Sequence, residues 1–255
     1  MKRIDLTGAV AVVTGASRGI GRAAALAFAR AGAHVVCTAR STAAAPSKIP
    51  GTIDDVAEQV RALGRGALAV CCDIREEEQV EALARSTMER FGRIDILVNN
   101  AAVNFRAPFA ETPMKRWDLV LDVNLRGSVL CTKAVLPHMR TRGSGSIVNV
   151  SSGAVNPELA SGIVPYAVSK AGLEMLTRAL ALELRPRRIA VNGLRIESSV
   201  ASEGAVFFNP QAVSSDWDTP EAVGEDIFWL ATREPTFTGQ VLTMAEVRAA
   251  RAKSA

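Results

Sequence analysis

Residues 9–21 read Ala9-Val10-Ala11-Val12-Val13-Thr14-Gly15-Ala16-Ser17-Arg18-Gly19-Ile20-Gly21, and an Ala-rich run follows over residues 22–31. The order is an apolar strand, a tight glycine turn and a helix. A second apolar run, His34-Val35-Val36-Cys37-Thr38, closes a βαβ unit. Glycines at such a turn let the backbone approach a pyrophosphate, and the N–H groups opening the helix point at its negative charge. The glycines alone fit an ordinary strand-to-helix turn equally well. The strand before them, and the helix and second strand after them, favour a dinucleotide-binding unit.

Outward from this unit, strand-like runs alternate with helical segments at residues 10–13, 35–38, 67–72, 94–98, 146–150, 189–194 and 241–244. That alternation predicts an α/β fold: a Rossmann-like, doubly wound parallel sheet of about seven strands with helices on both faces. No repeat, linker or composition break divides the chain, so residues 1–255 are expected to form one domain. Its dinucleotide-binding part covers about 1–150 and its catalytic and substrate part about 151–245. Residues 246–255 read as a short helix or a frayed tail.

Composition narrows the function. A formal net charge of +4, with 22% charged residues and the basic ones scattered, argues against a nucleic-acid partner. The cysteines Cys37, Cys71, Cys72 and Cys131 include no CxxC pair; they read as buried thiols of a reducing compartment. With only His34 and His138 as further candidates, no metal site is expected, and both histidines read as structural or surface residues. No apolar run reaches the ~20 residues that span a bilayer. The start, Met1-Lys2-Arg3-Ile4-Asp5, lacks an apolar signal core. The expectation is a cytoplasmic protein with no membrane partner.

Tyr166-Ala167-Val168-Ser169-Lys170 places a phenol and an ammonium on one helix face. A free phenol titrates near ~10, so it exchanges protons at neutral pH only if a neighbouring cation stabilises the phenolate. By itself the pair also fits an exposed amphipathic helix; together with the glycine turn it points to acid–base chemistry beside a dinucleotide.

With both motifs in place, the chain resembles the short-chain dehydrogenase/reductase family, whose TGxxxGxG and YxxxK patterns stand here at Thr14 to Gly21 and Tyr166 to Lys170. The resemblance covers nearly the whole chain and keeps the family's order of landmarks. Cys72-Asp73-Ile74 follow the third strand and Asn99-Asn100-Ala101-Ala102 the fourth; Asn124 lies in a helix, and Ser151-Ser152 follow the fifth strand. It implies hydride transfer between a nicotinamide and a small-molecule carbonyl or alcohol, without metal. Tyr166 would be the acid or base, and Ser152 would orient the substrate oxygen, with Ser151 as fallback. Lys170 would hold the nicotinamide ribose and lower the tyrosine pKa. Asn124 would kink its helix and hold a relay water, or else be a polar residue of a helix surface. Gly15, Ser17, Arg18, Gly19, Ile20, Gly21, Arg40, Asp73, Ile74, Asn100 and Ala101, with Tyr166 and Lys170, would contact the dinucleotide. Asp73 would face the adenine, or cap the acidic helix after it. Relatives pair through the helices carrying Asn124 and the Tyr166–Lys170 motif and form tetramers through the last strand, so a homodimer or homotetramer is expected.

The second strand ends in Ala39-Arg40 instead of an acidic residue, which favours NADP(H) over NAD(H), although NAD(H) stays possible. Arg18 could reach the same 2′-phosphate; the alternative for Arg40 is a solvated loop position. The long connection at residues 41–50, ending in Gly51-Thr52-Ile53 before a helix at 54–63, resembles the hydroxysteroid dehydrogenase-like branch. That likeness carries no steroid substrate with it. One departure sits beside the chemistry: the Pro-Gly that most members carry after strand six is replaced by Arg195-Ile196-Glu197-Ser198-Ser199. Either another backbone route makes the same contact, or Arg195 or Glu197 enters the pocket and selects a polar substrate. Residues 200–217 would form a substrate lid, its Val206, Phe207, Phe208 and Trp217 facing a lipophilic substrate, the core or a subunit. A catalytically silent NADP(H)-binding sensor or scaffold is the alternative to an enzyme. A lyase or epimerase with retained cofactor is a minor third.

Overall fold

Apolar side chains alternate with a period of two along the central strand, and the two sets feed two cores. Ala11 and Val13 enter one, Val10 and Val12 the other, and all four are essentially inaccessible to solvent. A strand buried on both faces must lie inside a sheet with helices on each side. The computed structural model, which describes residues 4–208, 210–212 and 214–253, shows that arrangement. Residues 1–3, read above as lacking an apolar signal core, and residues 254–255 lie outside the described residues.

In chain order the elements are β1 (Val10–Thr14), α1 (Gly19–Arg30), β2 (His34–Ala39), α2 (Ile53–Ala62), β3 (Ala67–Cys71) and α3 (Glu77–Phe91). Then come β4 (Ile96–Asn99), α4 (Met114–Leu121), α5 (Gly127–Arg142), β5 (Gly145–Ser152), α6 (Val164–Leu184) and β6 (Ile189–Ile196). The last are α7 (Glu203–Phe208), α8 (Pro220–Ala231), β7 (Val241–Thr243) and α9 (Met244–Lys253). The seven strands form one sheet in the order β3-β2-β1-β4-β5-β6-β7, every neighbouring pair parallel. Helices α1, α2, α8 and α9 pack on one face; α3, α5 and α6 pack on the other. The tail read as helix or frayed chain is α9.

The strand order reverses between β1 and β4, and a crevice opens at the carboxyl ends of strands at such a point. Thr14, the last residue of β1, joins its two sides. Its hydroxyl donates to the Val98 carbonyl (3.1 Å) and accepts from the backbone N–H groups of Asn100 (3.0 Å) and Ala101 (3.1 Å). The Asn100 amide donates back to the carbonyls of Thr14 (2.9 Å) and Gly15 (3.3 Å). Glycine is required within this knot: a Cβ on Gly21 would lie 2.3 Å from the Gly15 oxygen.

Three local readings are corrected. Cys71 is exposed, because β3 is an edge strand, whereas Cys37, Cys72 and Cys131 are buried. Burial pushes the Cys37 thiol up to about 12 and Cys72 to about 11. Ser151 and Ser152 do not follow the fifth strand but end it, paired with Arg195 and Ile196 of β6. The helix expected from residue 54 starts at Ile53, since Thr52 and Asp55 form a reciprocal capping box.

The segment around α7 leaves the sheet and returns through a narrow base. Val200 bridges Asp218, the Ala201 N–H donates to the Asp218 carbonyl, and the Asp218 N–H donates to that of Ser199. The Asp218 carboxylate is bound by the Ser198 hydroxyl and by Arg248 of α9. Arg248 and Arg251 also grip the fully buried Asp226 of α8.

Replacing Thr14 by Val leaves the Asn100 and Ala101 N–H groups without an acceptor. A fully buried orphan costs about 1–3 kcal/mol; both groups are half-buried and fall in the lower part of that range, so urea unfolding of Thr14→Val should show a loss of about 2–4 kcal/mol. Thr14→Ser, which keeps the hydroxyl, should lose about 1 kcal/mol.

Candidate active site

The polar side chains at the carboxyl edge come from β5, α6 and an irregular turn between α4 and α5. Helix α6 carries Tyr166 and Lys170 one turn apart, and β5 ends beside them. The Ser152 hydroxyl accepts the Ala154 N–H at 3.2 Å and lies close enough to the Tyr166 phenol to lower its pKa. The Ser151 hydroxyl points elsewhere and donates to Glu174 Oε1 at 2.8 Å. Of the two serines, Ser152 is therefore the one at the tyrosine.

Lys170 is 2% exposed; its ammonium donates to the Val150 carbonyl at 2.7 Å and lies 5.6 Å from the centre of the Tyr166 ring. Burial pulls its pKa down from 10.5 to about 8. Burial also pushes the Tyr166 phenol above its ordinary value, with the Ser152 hydrogen bond acting in the opposite direction. The lowering expected from Lys170 thus does not overcome desolvation.

Asn124 is fully buried and sits in a π-helical turn, Asp122–Arg126, which corrects the reading of a polar residue on a helix surface. A wide turn of this kind interrupts the helical ladder and re-aims the chain. The Asn124 side chain accepts from the Val103 N–H (2.8 Å) and donates to the Val103 carbonyl (2.9 Å) and the Ser169 hydroxyl (3.0 Å). It fastens the loop after β4 to α6.

At the other end of the edge, Asp73 is not a helix cap: Glu76 precedes α3 and makes no side-chain cap. The Asp73 carboxylate instead binds Arg75 at 2.6 Å, and Arg40 stands 3.8 Å away. The Arg75 hydrogen bond holds the Asp73 carboxyl below its usual range. Arg40 is 63% exposed at its side chain. Ile74 is buried behind it. Arg18, expected to reach the same region, uses its guanidinium to hold the long connection: Nε donates to the Pro50 carbonyl (2.9 Å), and Nη2 to Ser47 (2.7 Å), Gly51 (2.9 Å) and Ser41 (3.1 Å). Ser17 is buried in the turn, with Ile20 half-buried after it.

Arg195 does not enter a pocket. Its guanidinium forms a two-pronged pair with Glu174 of α6, at 2.9 and 2.7 Å, which also receives Ser151. Burial pushes the Glu174 carboxyl up, but Arg195 and Ser151 outweigh it and hold it below its usual range. Glu197 stays exposed, its backbone against Gly153. In α7 Val206, Phe207 and Phe208 are exposed rather than packed on the core, and Trp217 is half-buried. The sequence reading missed Glu203, whose Oε2 accepts the Gly19 N–H at 2.7 Å. No local pattern links residues that far apart in the chain.

Comparison with known proteins places these features. The family model for short chain dehydrogenases matches residues 9–197. The chain belongs to the short-chain dehydrogenase family. This short-chain dehydrogenase is 34% identical over 238 residues to hydroxysteroid dehydrogenase-like protein 2 of Bos taurus, covering 93% of the chain and 56% of that protein. It thus spans little more than half the length of the curated relatives it matches. A crystal structure of a candidate dehydrogenase from Xanthomonas campestris is 39% identical with a TM-score of 0.88, over 97% of this chain and 91% of that one. A candidate NAD(P)-dependent gluconate 5-dehydrogenase from Beutenbergia cavernae, with NADP bound at low occupancy, is 33% identical with a TM-score of 0.82. That match covers 95% of this chain and 97% of the other. The family is one of NAD(P)-binding oxidoreductases. Among the described residues, no helix is long and apolar enough to cross a membrane, and no cluster of His, Cys, Asp and Glu could hold a metal ion.

The lysine gives a stability test. Below pH 8 Lys170 is charged in both states and its burial opposes folding; between about 8 and 10.5 the folded protein releases the proton first, so stability rises. Relative to Lys170→Met, the wild type should gain on the order of 3 kcal/mol across that window, read from denaturant melts at stepped pH.

Proposed function

We propose that this chain is an NADP(H)-dependent oxidoreductase that interconverts a small carbonyl compound and its alcohol, with Tyr166 as general acid and base. The observation that carries the reading is the buried Lys170 ammonium 5.6 Å from the centre of the Tyr166 ring, with Ser152 beside the phenol. A phenol whose pKa is raised is protonated at neutral pH, ready to give its proton to a carbonyl oxygen. Ser152 holds that oxygen against the phenol. In the opposite direction the phenolate takes the alcohol proton. Lys170 binds the nicotinamide ribose, and Asn124 fixes the turn that packs against α6, where a relay water would reach the lysine.

A dinucleotide fits the strand ends. Gly15, Ser17, Arg18, Gly19, Ile20 and Gly21 open α1, whose first N–H already binds a carboxylate oxygen. Asp73, Ile74, Asn100 and Ala101 line the ends of β3 and β4. Bound there, the nicotinamide would supply or accept the hydride. Arg40 favours a 2′-phosphate: β2 ends without a carboxylate, and the nearby Asp73 is neutralised by Arg75 and Arg40. Loss of turnover, leaving a silent NADP(H)-binding sensor or scaffold, is the second reading. It rests on the missing Pro-Gly and on the carboxylate at Gly19. Exposed Val168, Met175 and Leu182, seven residues apart along α6, support pairing of two copies through this helix, as a homodimer or within a homotetramer; a monomer mass by light scattering would refute it.

Purified protein assayed with NADPH and NADH against ketones, aldehydes, quinones and alcohols tests the reading. Tyr166→Phe should cut turnover by about 10²–10⁴ while NADPH binding persists. Arg40→Ala should reduce the preference for NADPH over NADH by about ten-fold. Binding of NADPH by wild type without turnover of any substrate class would favour the sensor.

With the Tyr166 phenol raised, carbonyl reduction should be flat from pH 6 to 7, below the titration of Lys170, and alcohol oxidation should climb with pH as the phenolate forms. A reduction rate that falls between pH 6 and 7 would exclude Tyr166 as the proton donor.

A further inference from the structure

The head of α1 is already occupied. Gly19 opens that helix with φ +54°, and its N–H, one of the helix's unpaired first-turn donors, points at Glu203 Oε2, 2.7 Å away. The other carboxylate oxygen, Oε1, lies 3.4 Å from Arg22 Nη1, and Arg22 Nε is within 3.3 Å of Gln59. The charge of Glu203 is also felt at Arg18, the residue before Gly19. The adjoining Ser202 packs so closely that a Cβ on Gly19 would lie 3.1 Å from its own. A carboxylate from the segment after β6 therefore sits on the glycine turn, beside Arg22, where a dinucleotide would place its pyrophosphate.

We propose that Glu203 is a removable plug of the phosphate site: its carboxylate holds the anion position while the site is empty, and the dinucleotide enters by displacing it from Gly19. The inference rests on the dinucleotide-binding reading above. Two anions cannot share one donor at hydrogen-bond distance; their repulsion in a partly buried site works against whichever is bound more weakly. A pyrophosphate carries more charge and more acceptor oxygens than a carboxylate, so it prevails. The displaced Glu203 carries α7 with it, and with α7 move Phe207 and Phe208. Binding at the phosphate end is thereby linked to the position of the apolar segment expected over the substrate. The place of the Pro-Gly segment lies a few residues upstream in the same connection, so the chain that lost one fixed contact carries a displaceable one.

Two measurements on the full chain, made together, distinguish a plug from a structural cap. The first is the affinity for NADP⁺ and for sodium pyrophosphate by titration calorimetry in wild type, Glu203→Gln and Glu203→Ala. The second is the melting temperature of each protein without ligand. A plug predicts opposite signs: both variants melt a few degrees lower, having lost a charge-assisted bond at a helix head, yet bind NADP⁺ about ten-fold tighter. Pyrophosphate should follow with a comparable gain, which locates the effect at the phosphates. Glu203→Gln keeps the side-chain shape and serves if the Ala variant does not fold. Wild type that binds NADP⁺ together with variants that bind it equally or more weakly would overturn the plug and leave the dinucleotide reading standing. Failure of wild type and both variants to bind either NADP⁺ or NAD⁺ would overturn the dinucleotide reading, and the plug with it.

Discussion

A parallel sheet covered on both faces has one place where polar groups and solvent can meet, the edge formed by its strand ends, and the chemistry of this chain is gathered there. The constraint acts first on the backbone, because the N–H and C=O groups of the loops leaving that edge are partly buried and require partners. Thr14 and Asn100 supply them across the crevice, and Asn124 farther along the loop after β4. Ser152, Tyr166 and Lys170 take their positions from elements held by these bonds. The residues that shape the crevice are thus as polar as those expected to react in it, and they are separable only by asking where each hydrogen bond goes.

Much of this was legible in the sequence, because it rests on short-range pattern. The unbroken apolar run at residues 9–13 and the glycines at 15, 19 and 21 mark a strand and a close-packed turn without reference to distant residues. All seven strands fall within two residues of their predicted limits. The Tyr166–Lys170 spacing is helical and local. What the sequence left open or misread is long-range. Whether Ser151 or Ser152 faces the tyrosine depends on Glu174, and the fate of Arg195 depends on the same carboxylate. The exposure of Cys71 depends on β3 being an edge, which is a property of the strand order. Thr52 as a helix cap was a local signal that the composition of the long connection obscured.

Electrostatics adds a contrast between the two halves of the crevice. At the glycine turn the positive charges of Arg18 and Arg22 are partly exposed and already matched by hydrogen-bond acceptors or by Glu203. At the catalytic end the Lys170 ammonium is wholly enclosed and donates to a neutral carbonyl. Desolvation dominates there, so it moves both Lys170 and Tyr166 toward their uncharged forms. Anything that brings negative charge or hydroxyl groups near that lysine changes the balance far more than an equal change at the exposed arginines.

The narrow base of the segment at residues 200–217 has a mechanical meaning. Its two stems are tied to each other by Val200, Ala201 and Asp218, and Asp218 is tied in turn to Arg248, which the buried Asp226 holds to the body of the protein. A loop pinched at its neck loses little conformational entropy when its crown settles, because its ends are already together. The neck therefore fixes where the segment leaves and rejoins the body, as a drawstring fixes the mouth of a purse, and the last helix, through Arg248, is the drawstring's knot.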